Sequence, residues 1–375
     1  MIPFNKPYLH GRELFYISQA VASGKISGDG IFTKKCHDFF EERYGFKKVL
    51  MTTSCTDALE MAAILLDIKP GDEVIAPSYT FVSTVNAFVL RGADIVFADS
   101  CTEQPNIDPS QIAKLITPKT KAIVVVHYAG VACDMDAIMA IAKSHNIPVV
   151  EDAAQAIDAY YKGQPLGSIG TFGTFSFHET KNISAGEGGL LVINDDEYIR
   201  RAEIIREKGT NRSSYFRGEV AKYGWVDIGS SFLPSDIIAA HLLAQLENID
   251  SIQAKRRAIW ERYYDNLSEK LNKTDVSLPQ VYDYSTNNAH MFYLICSSLE
   301  QRTMLIEYLK SSDVHAVFHY LSLHSSAFYK GLYNNEPLVN ADVFSDCLVR
   351  LPLYCELEFE QVDYICNKII DFLCD

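Results

Sequence analysis

What this sequence lacks narrows its roles before any motif is read. No apolar run approaches the roughly 20 residues that a membrane-spanning helix needs, so no membrane segment is expected. The opening residues, Met1-Ile-Pro-Phe-Asn-Lys-Pro, carry no apolar core of the kind a signal peptide uses. Nine cysteines are scattered along the chain and none forms a Cys-x-x-Cys pair. That argues against a metal knuckle or a disulfide framework and for a reducing cytoplasm. Basic residues are in deficit, 34 Lys and Arg against 48 Asp and Glu, for a formal net charge of −14. Nucleic acid and anionic membranes are therefore not expected as main partners, and an anionic substrate needs a local pocket of donors. A dinucleotide fingerprint is missing too. Gly167-x-x-Gly170-x-x-Gly173 has the wrong spacing, and a strand follows it rather than a helix. His127, His319 and His324 have no carboxylate or cysteine spaced with them, so no metal site is expected.

What is present centres on residues 173–193. Residues 174–177 alternate polar and aromatic, as a half-buried strand does, and residues 190–193 form a wholly apolar run that reads as a buried strand. The connection between them holds one lysine, Lys181, and the glycines Gly186, Gly188 and Gly189. Such a connection lets planar groups approach the backbone closely. A lysine placed there can condense with an aldehyde if its neighbours lower its pKa. A lone lysine is more often a solvated surface residue. The reading therefore needs a second acid, a phosphate cup and a stacking aromatic elsewhere in the chain.

The rest of the chain supplies candidates. At 375 residues it can bury a large core, and one large domain plus a smaller one is expected, divided as 1–250 and 251–375. From residue 46 strands alternate with helices. Strands are predicted at 48–51, 73–76, 95–97, 122–126 and 149–150, with helices at 57–66, 109–116 and 135–144. The pattern implies a mainly parallel mixed sheet flanked by helices, whose ligands gather beyond the carboxyl ends of the strands. Ser54, Phe81, His127, Asp152 and Lys181 fall near such ends. Thr52-Thr-Ser-Cys-Thr56 is a hydroxyl-rich turn feeding a helix, which suits either plain N-capping or phosphate binding. Asp152 either caps a turn or faces a protonated ring nitrogen. Residues 195–220 are rich in arginine and read as a solvated helix face and loop. A polar helix near 251–270 leads to a smaller α+β region with strands at 289–295, 315–320 and 348–352 and a final amphipathic helix.

These pieces resemble a known family. Ser27-Gly-Asp-Gly, Ser54-Cys-Thr, Pro77-Ser-Tyr-Thr-Phe, Glu151-Asp-Ala-Ala-Gln, Ser176-Phe-His-Glu-Thr-Lys-Asn and His319-Tyr-x-x-x-His324 stand in the order seen in nucleotide-sugar aminotransferases. Those enzymes use pyridoxal phosphate (PLP) and have the aspartate-aminotransferase fold, fold type I. The resemblance runs nearly end to end. It implies that Lys181 is the catalytic residue, bonded to the cofactor aldehyde and later the base that moves a proton between substrate and cofactor. It implies that Asp152 keeps the pyridine nitrogen protonated, Gln155 faces the phenolic oxygen, Phe81 stacks on the ring, and Cys55, Thr56 and Ser176 hold the phosphate. Many members carry an asparagine from the partner subunit where Ser231 stands here, so Ser231 is a shorter candidate for a cross-subunit phosphate contact. His319 and Tyr320 resemble a substrate-side segment, and His178 reads equally well as a satisfied wall residue.

A narrower resemblance lies in Val126-His-Tyr-Ala-Gly-Val-Ala-Cys, Glu203-Ile-Ile-Arg-Glu-Lys-Gly-Thr-Asn-Arg212 and Asp227-Ile-Gly-Ser-Ser231. It points to the enterobacterial branch that acts on dTDP-4-keto-6-deoxy-D-glucose. This implies L-glutamate as amino donor, dTDP-4-amino-4,6-dideoxy-D-galactose as product, pyridoxamine phosphate as the amino-carrying form, and a cytoplasmic homodimer with shared active sites. The 4-amino glucose epimer, a 3-amino sugar and a PLP-dependent sugar dehydratase remain alternatives. The dehydratase branch has histidine where Lys181 stands.

Overall fold

The computed structural model describes residues 1–374. Its strands in chain order are β1 (Lys48–Thr52), β2 (Glu73–Pro77), β3 (Asp94–Ala98), β4 (Thr120–Val126), β5 (Val149–Asp152), the short hairpin β6 (Tyr160–Tyr161) and β7 (Gln164–Pro165), β8 (Phe172–Ser176), β9 (Gly189–Ile193), β10 (Phe292–Ile295) and β11 (Leu348–Leu351). Seven of them form one sheet in the order β1-β9-β8-β5-β4-β2-β3. All run parallel except β9, which is antiparallel to both of its neighbours. The sheet is therefore mainly parallel and mixed, as the alternating pattern predicts.

Successive side chains of each strand enter different cores. Met51, Ile75, Ile123, Val125, Leu190 and Val192 join one hydrophobic cluster. Leu50, Val74, Ala76, Ala122, Val124, Leu191 and Ile193 join the other. Both faces are thus dry, which is why these strands read as continuous apolar runs. The helix Cys55–Leu65 packs against β8 and β9 on one face, while Phe40 of the helix Ile31–Tyr44 stacks on Phe177 on the other. A third cluster, which includes Tyr263, Phe292, Leu309 and Ile365, joins the antiparallel pair β10–β11 to the helices Ile249–Leu271, Leu299–Ser311 and Phe359–Cys374.

Three sequence expectations need correcting. The strand at 174–177 is β8, and it is buried on both faces rather than one. Its Thr174 is satisfied internally, donating from Oγ1 to the Glu151 carbonyl at 3.3 Å, so a polar residue in the alternation did not mean a wet face. Residues 315–320 form no strand and contribute only a single bridge, Val317 to Arg350. Among the arginines read as solvated, Arg206 is buried. It donates from Nε to the Met51 carbonyl at 2.8 Å and pairs with Asp29 at 2.9 Å.

The glycine spacing at 167–173 also has a structural explanation. Glu151 is fully buried and accepts from Ile169 N at 2.7 Å, Gly170 N at 2.6 Å and Gly167 N at 2.9 Å. His127 completes the set, with Nε2 at 2.9 Å from Glu151 Oε2 while its Nδ1 accepts from Cys133 N at 3.2 Å. The imidazole proton therefore sits on Nε2. This loop is an anion nest for the protein's own carboxylate, and it ties the ends of β4 and β5 beside Asp152. Replacing Glu151 with Ala leaves those amides without an acceptor, and we expect a loss of about 3 kcal/mol in denaturant-measured stability. A loss within experimental error would show that water replaces the carboxylate.

No helix among the described residues is long and apolar enough to cross a membrane. No cluster of three or more His, Cys, Asp or Glu residues among them suits a metal.

Candidate active site

The carboxyl ends of β2, β4, β5 and β8 open into a cavity of about 560 Å³. Its lining includes Cys55, Thr56, Phe81, Asp152, Gln155, Ser176, His178, Lys181, His319 and Tyr320. Residues scattered along the chain thus meet in one place.

Local sequence explains each position. The helix Cys55–Leu65 starts after Ser54, whose Oγ accepts from Asp57 N at 3.1 Å. The amides of Cys55 and Thr56, at the start of that helix, have no intrahelical acceptor and stand at the positive end of its dipole. Thr56 Oγ1 donates to Ser83 Oγ at 2.8 Å, joining this turn to the segment after β2. Gly189 at the start of β9 closes the back of the turn. A Cβ there would lie 2.3 Å from the Ser54 carbonyl carbon and 2.5 Å from Cys55 N, so only glycine fits.

Asp152 ends β5 and is nearly fully buried. Its Oδ2 accepts from Thr84 Oγ1 at 2.7 Å and its Oδ1 from Ala154 N at 3.1 Å. Burial pushes its carboxyl above the usual range, opposed by the Thr84 and Ala154 hydrogen bonds and by the Lys181 charge. Burial also holds the Lys181 amine below the usual lysine range, with Arg350 adding to the effect and Cys55 and Asp152 opposing it. A depressed amine is a better nucleophile and base near neutral pH.

Gln155 accepts from Ala129 N at 2.6 Å and donates from Nε2 to Tyr320 Oη at 3.0 Å. Ala129 adopts φ +57°, a left-handed conformation that this hydrogen bond helps to hold. His319 Nδ1 lies 2.7 Å from Tyr128 Oη, and its ring stacks on Tyr320. His178 bonds Thr180 Oγ1 through Nδ1 at 2.9 Å. Phe81 lines the cavity and is otherwise exposed. Two residues named from the sequence lie elsewhere. His127 belongs to the Glu151 nest, and Ser231 is exposed outside the cavity, bridged to Glu207.

Sequence reasoning missed Arg350. It sits in β11, lines the cavity, and its guanidinium lies 4.6 Å from the Phe4 ring centroid. Its Nε is buried without a hydrogen-bond partner, its Nη2 donates only to the Phe318 carbonyl at 3.4 Å, and no carboxylate among the described residues pairs with it. The available signal was one arginine inside an apolar strand, Leu348-Val-Arg-Leu-Pro.

A buried amine, a buried carboxylate across from it and an anion cup at a helix start are what PLP requires. The donor set therefore fits the cofactor, and the fold and site define a PLP-dependent sugar aminotransferase. The chain belongs to the DegT/DnrJ/EryC1/StrS aminotransferase family, whose profile matches residues 7–370. It is 33% identical over 381 residues to the GDP-perosamine synthase of Escherichia coli O157:H7, covering 100% of this chain and 99% of that protein. Spr1654 of Streptococcus pneumoniae, solved in its PMP form, superposes with a TM-score of 0.91 at 28% identity over 99% of each chain. Its PLP form gives 0.90 at 27% identity, covering 99% of this chain and 98% of that one. The aminotransferase TlmJ from Streptoalloteichus hindustanus gives 0.90 at 28% identity, covering 99% and 98%. PLP is the cofactor, and its pyridoxamine form carries the amino group.

Proposed function

We propose that this protein transfers the amino group of L-glutamate to C4 of dTDP-4-keto-6-deoxy-D-glucose, giving dTDP-4-amino-4,6-dideoxy-D-galactose and 2-oxoglutarate. The observation that carries the transaminase reading is the meeting of Lys181, Asp152 and an unpaired Arg350 in one cavity. The choice of a dTDP sugar is supported by the sequence resemblance at 126–133, 203–212 and 227–231. A second reading, a GDP-linked keto sugar, is favoured by the identity to GDP-perosamine synthase.

When bound, PLP supplies an aldehyde for amine capture and a ring that takes up electrons as a C–H bond breaks. In this reading Lys181 Nζ would hold the cofactor and then move the proton from the amino donor's carbon. Asp152 would keep a proton on the ring nitrogen, Gln155 would face the phenolic oxygen, and Phe81 would cover one face of the ring. Cys55, Thr56 and Ser176 bind the phosphate through amides and hydroxyls. His319 and Tyr320 line the sugar side. Arg350, a fixed cation lacking a counter-ion, receives the glutamate carboxylate. Reaction is ping-pong, with 2-oxoglutarate leaving before the keto sugar accepts nitrogen.

The cofactor-binding part is 1–250 and the smaller part 251–375, supported by the separate core that Tyr263, Phe292 and Ile365 share. Ser231 serves the phosphate cup of a partner subunit in a homodimer. Exposed Trp225 (82%) and Phe216 (70%), on the same stretch as Ser231, support a protein-covered surface there. The unpaired cysteines suit a reducing, cytoplasmic setting.

Incubation with PLP, L-glutamate and either the dTDP or the GDP 4-keto-6-deoxy sugar, read by proton NMR, tests the proposal. A small H3–H4 coupling on the aminated dTDP sugar is expected, since it reports an axial nitrogen. A large coupling gives the gluco epimer, amination of the GDP sugar alone moves the assignment to the second reading, and a C3 amine or no amine overturns it. Arg350→Met should raise KM for glutamate on the order of 100-fold. The KM for the keto sugar should hold nearly steady. An unchanged glutamate KM would remove Arg350 from donor binding.

A further inference from the structure

His290 is a buried residue of the cavity wall that the roles above leave unused. Its ring makes one hydrogen bond, and the partner's own bonds fix which nitrogen carries the proton. Asn182, the residue after Lys181, donates both N–H groups of Nδ2, to Gln253 Oε1 at 2.9 Å and to the Asn288 carbonyl at 2.8 Å. Asn182 Oδ1 must then be the acceptor, and His290 Nδ1 lies 2.8 Å from it. The proton is therefore on Nδ1, and Nε2 carries a bare lone pair.

The backbone of His290 is fixed as well. Its N–H donates to Asn288 Oδ1 at 3.0 Å, and its carbonyl accepts from Arg256 Nη2 at 2.7 Å. Asn288 in turn donates to the carbonyls of Gln155 and Ile157, at 2.8 and 2.9 Å. Burial, with Lys181, Arg256 and Arg350 adding to it, holds the imidazole well below the usual histidine range, so it stays neutral. Nε2 has no partner in the chain, yet it is not shut away from solvent as the Nε of Arg350 is. It faces the cavity as a fixed, neutral acceptor, and no side chain of the cavity lining donates to it.

A neutral acceptor repels carboxylate and phosphate oxygens and needs a donor. Sugar hydroxyls supply donors, and the cavity must take a sugar if the function proposed above holds. We infer that His290 Nε2 accepts a hydrogen bond from the hydroxyl next to the carbonyl that is aminated, making His290 a specificity-determining residue for the sugar half of the reaction. A keto sugar lacking that hydroxyl leaves Nε2 dry and unpaired, so it is disfavoured. The inference rests on the sugar-aminotransferase reading. If the wild-type protein aminates no keto sugar, that reading fails and not this one.

The test compares the wild type with His290→Phe, which keeps a ring without nitrogen, and His290→Gln, whose Oε1 can take the place of Nε2. Glutamate turnover is followed alone by cofactor absorbance, the sugar half separately by product formation, and aminated dTDP-sugar binding by calorimetry. His290→Phe should cut kcat/KM for the sugar by about 10- to 100-fold and weaken product binding about tenfold, while changing the glutamate half less than about threefold. His290→Gln should recover most of the loss. A sugar lacking the hydroxyl should erase the difference between wild type and His290→Phe. Equal losses in both halves would reduce His290 to a structural role. A loss confined to the glutamate half would assign Nε2 to the donor's ammonium instead, and either outcome overturns the inference. If His290→Phe does not fold, the wild type alone decides, since it should discriminate between the two sugars by the same factor.

Discussion

Lys181→Ala is expected to lower transamination by about 10⁴-fold or more, because the proposed mechanism gives one side chain both the holding of the cofactor and the movement of the proton. The chemistry needs an amine that is neutral part of the time, and burial beside Arg350 depresses Lys181 in the required direction. The connection that carries it is built into the sheet on both sides, by β8 and by β9, with Phe177 N donating to the Gly188 carbonyl at 2.8 Å. No hydrogen bond of that connection uses the Lys181 side chain, so circular dichroism and the denaturation midpoint should stay close to wild type. The variant should still retain PLP through the phosphate cup and Asp152, without the covalent link. Turnover above a few per cent of wild type in a clean preparation would sink the role assigned to Lys181.

The second large effect is expected at Asp152. Asp152→Asn keeps the size of the side chain, and its oxygen can accept from Ala154 N while its amide donates to Thr84 Oγ1, whose hydroxyl can turn to Thr80. It removes the charge that would hold a proton on the ring nitrogen. A loss of about 10³-fold in kcat is expected with modest change in KM, as befits a charge used mainly in the transition state. Stability should move the other way. In the protein without cofactor the Asp152 carboxyl is raised by burial, so the folded state holds its proton to higher pH than the unfolded state. The unfolded state then binds fewer protons in that window, and stability falls as pH climbs from the ordinary carboxylate value of about 3.9 through the raised one. Asp152→Asn lacks this slope. Cofactor-free Asp152→Asn should therefore match or exceed the wild type in stability at neutral pH. A cofactor-free variant clearly less stable than wild type, or one that keeps full kcat, would contradict this account.

Much of the site was legible in the chain because its parts are local patterns. A buried strand ending in Asp152, a hydroxyl-rich turn before a helix, and a lysine in a glycine-rich connection each occupy a few consecutive residues. Strand ends in a parallel sheet point to one edge, so these pieces could be placed together without coordinates. Element positions followed for the same reason. The helix predicted at 57–66 is Cys55–Leu65, and the strand predicted at 122–126 lies within β4.

Arg350 and His290 behave differently. Each lies in a stretch that reads as ordinary strand, and nothing nearby marks it as a cavity residue. Arg350 reaches the cavity from β11, a strand of the separate pair β10–β11. The lone pair of His290 is defined by Asn182 and Gln253, from distant parts of the chain, together with Asn288, two residues before it. The burial of Arg206 and Thr174, and the outward position of Ser231, were equally invisible. By itself the sequence determined the sheet type and the family, and it named Lys181 and Asp152 as the candidate lysine and acid that the fold brings to one cavity. Only the tertiary structure decided which polar groups lost their water and which kept a free donor or acceptor, because hydrogen-bond satisfaction is a sum over partners that the chain brings together from far apart.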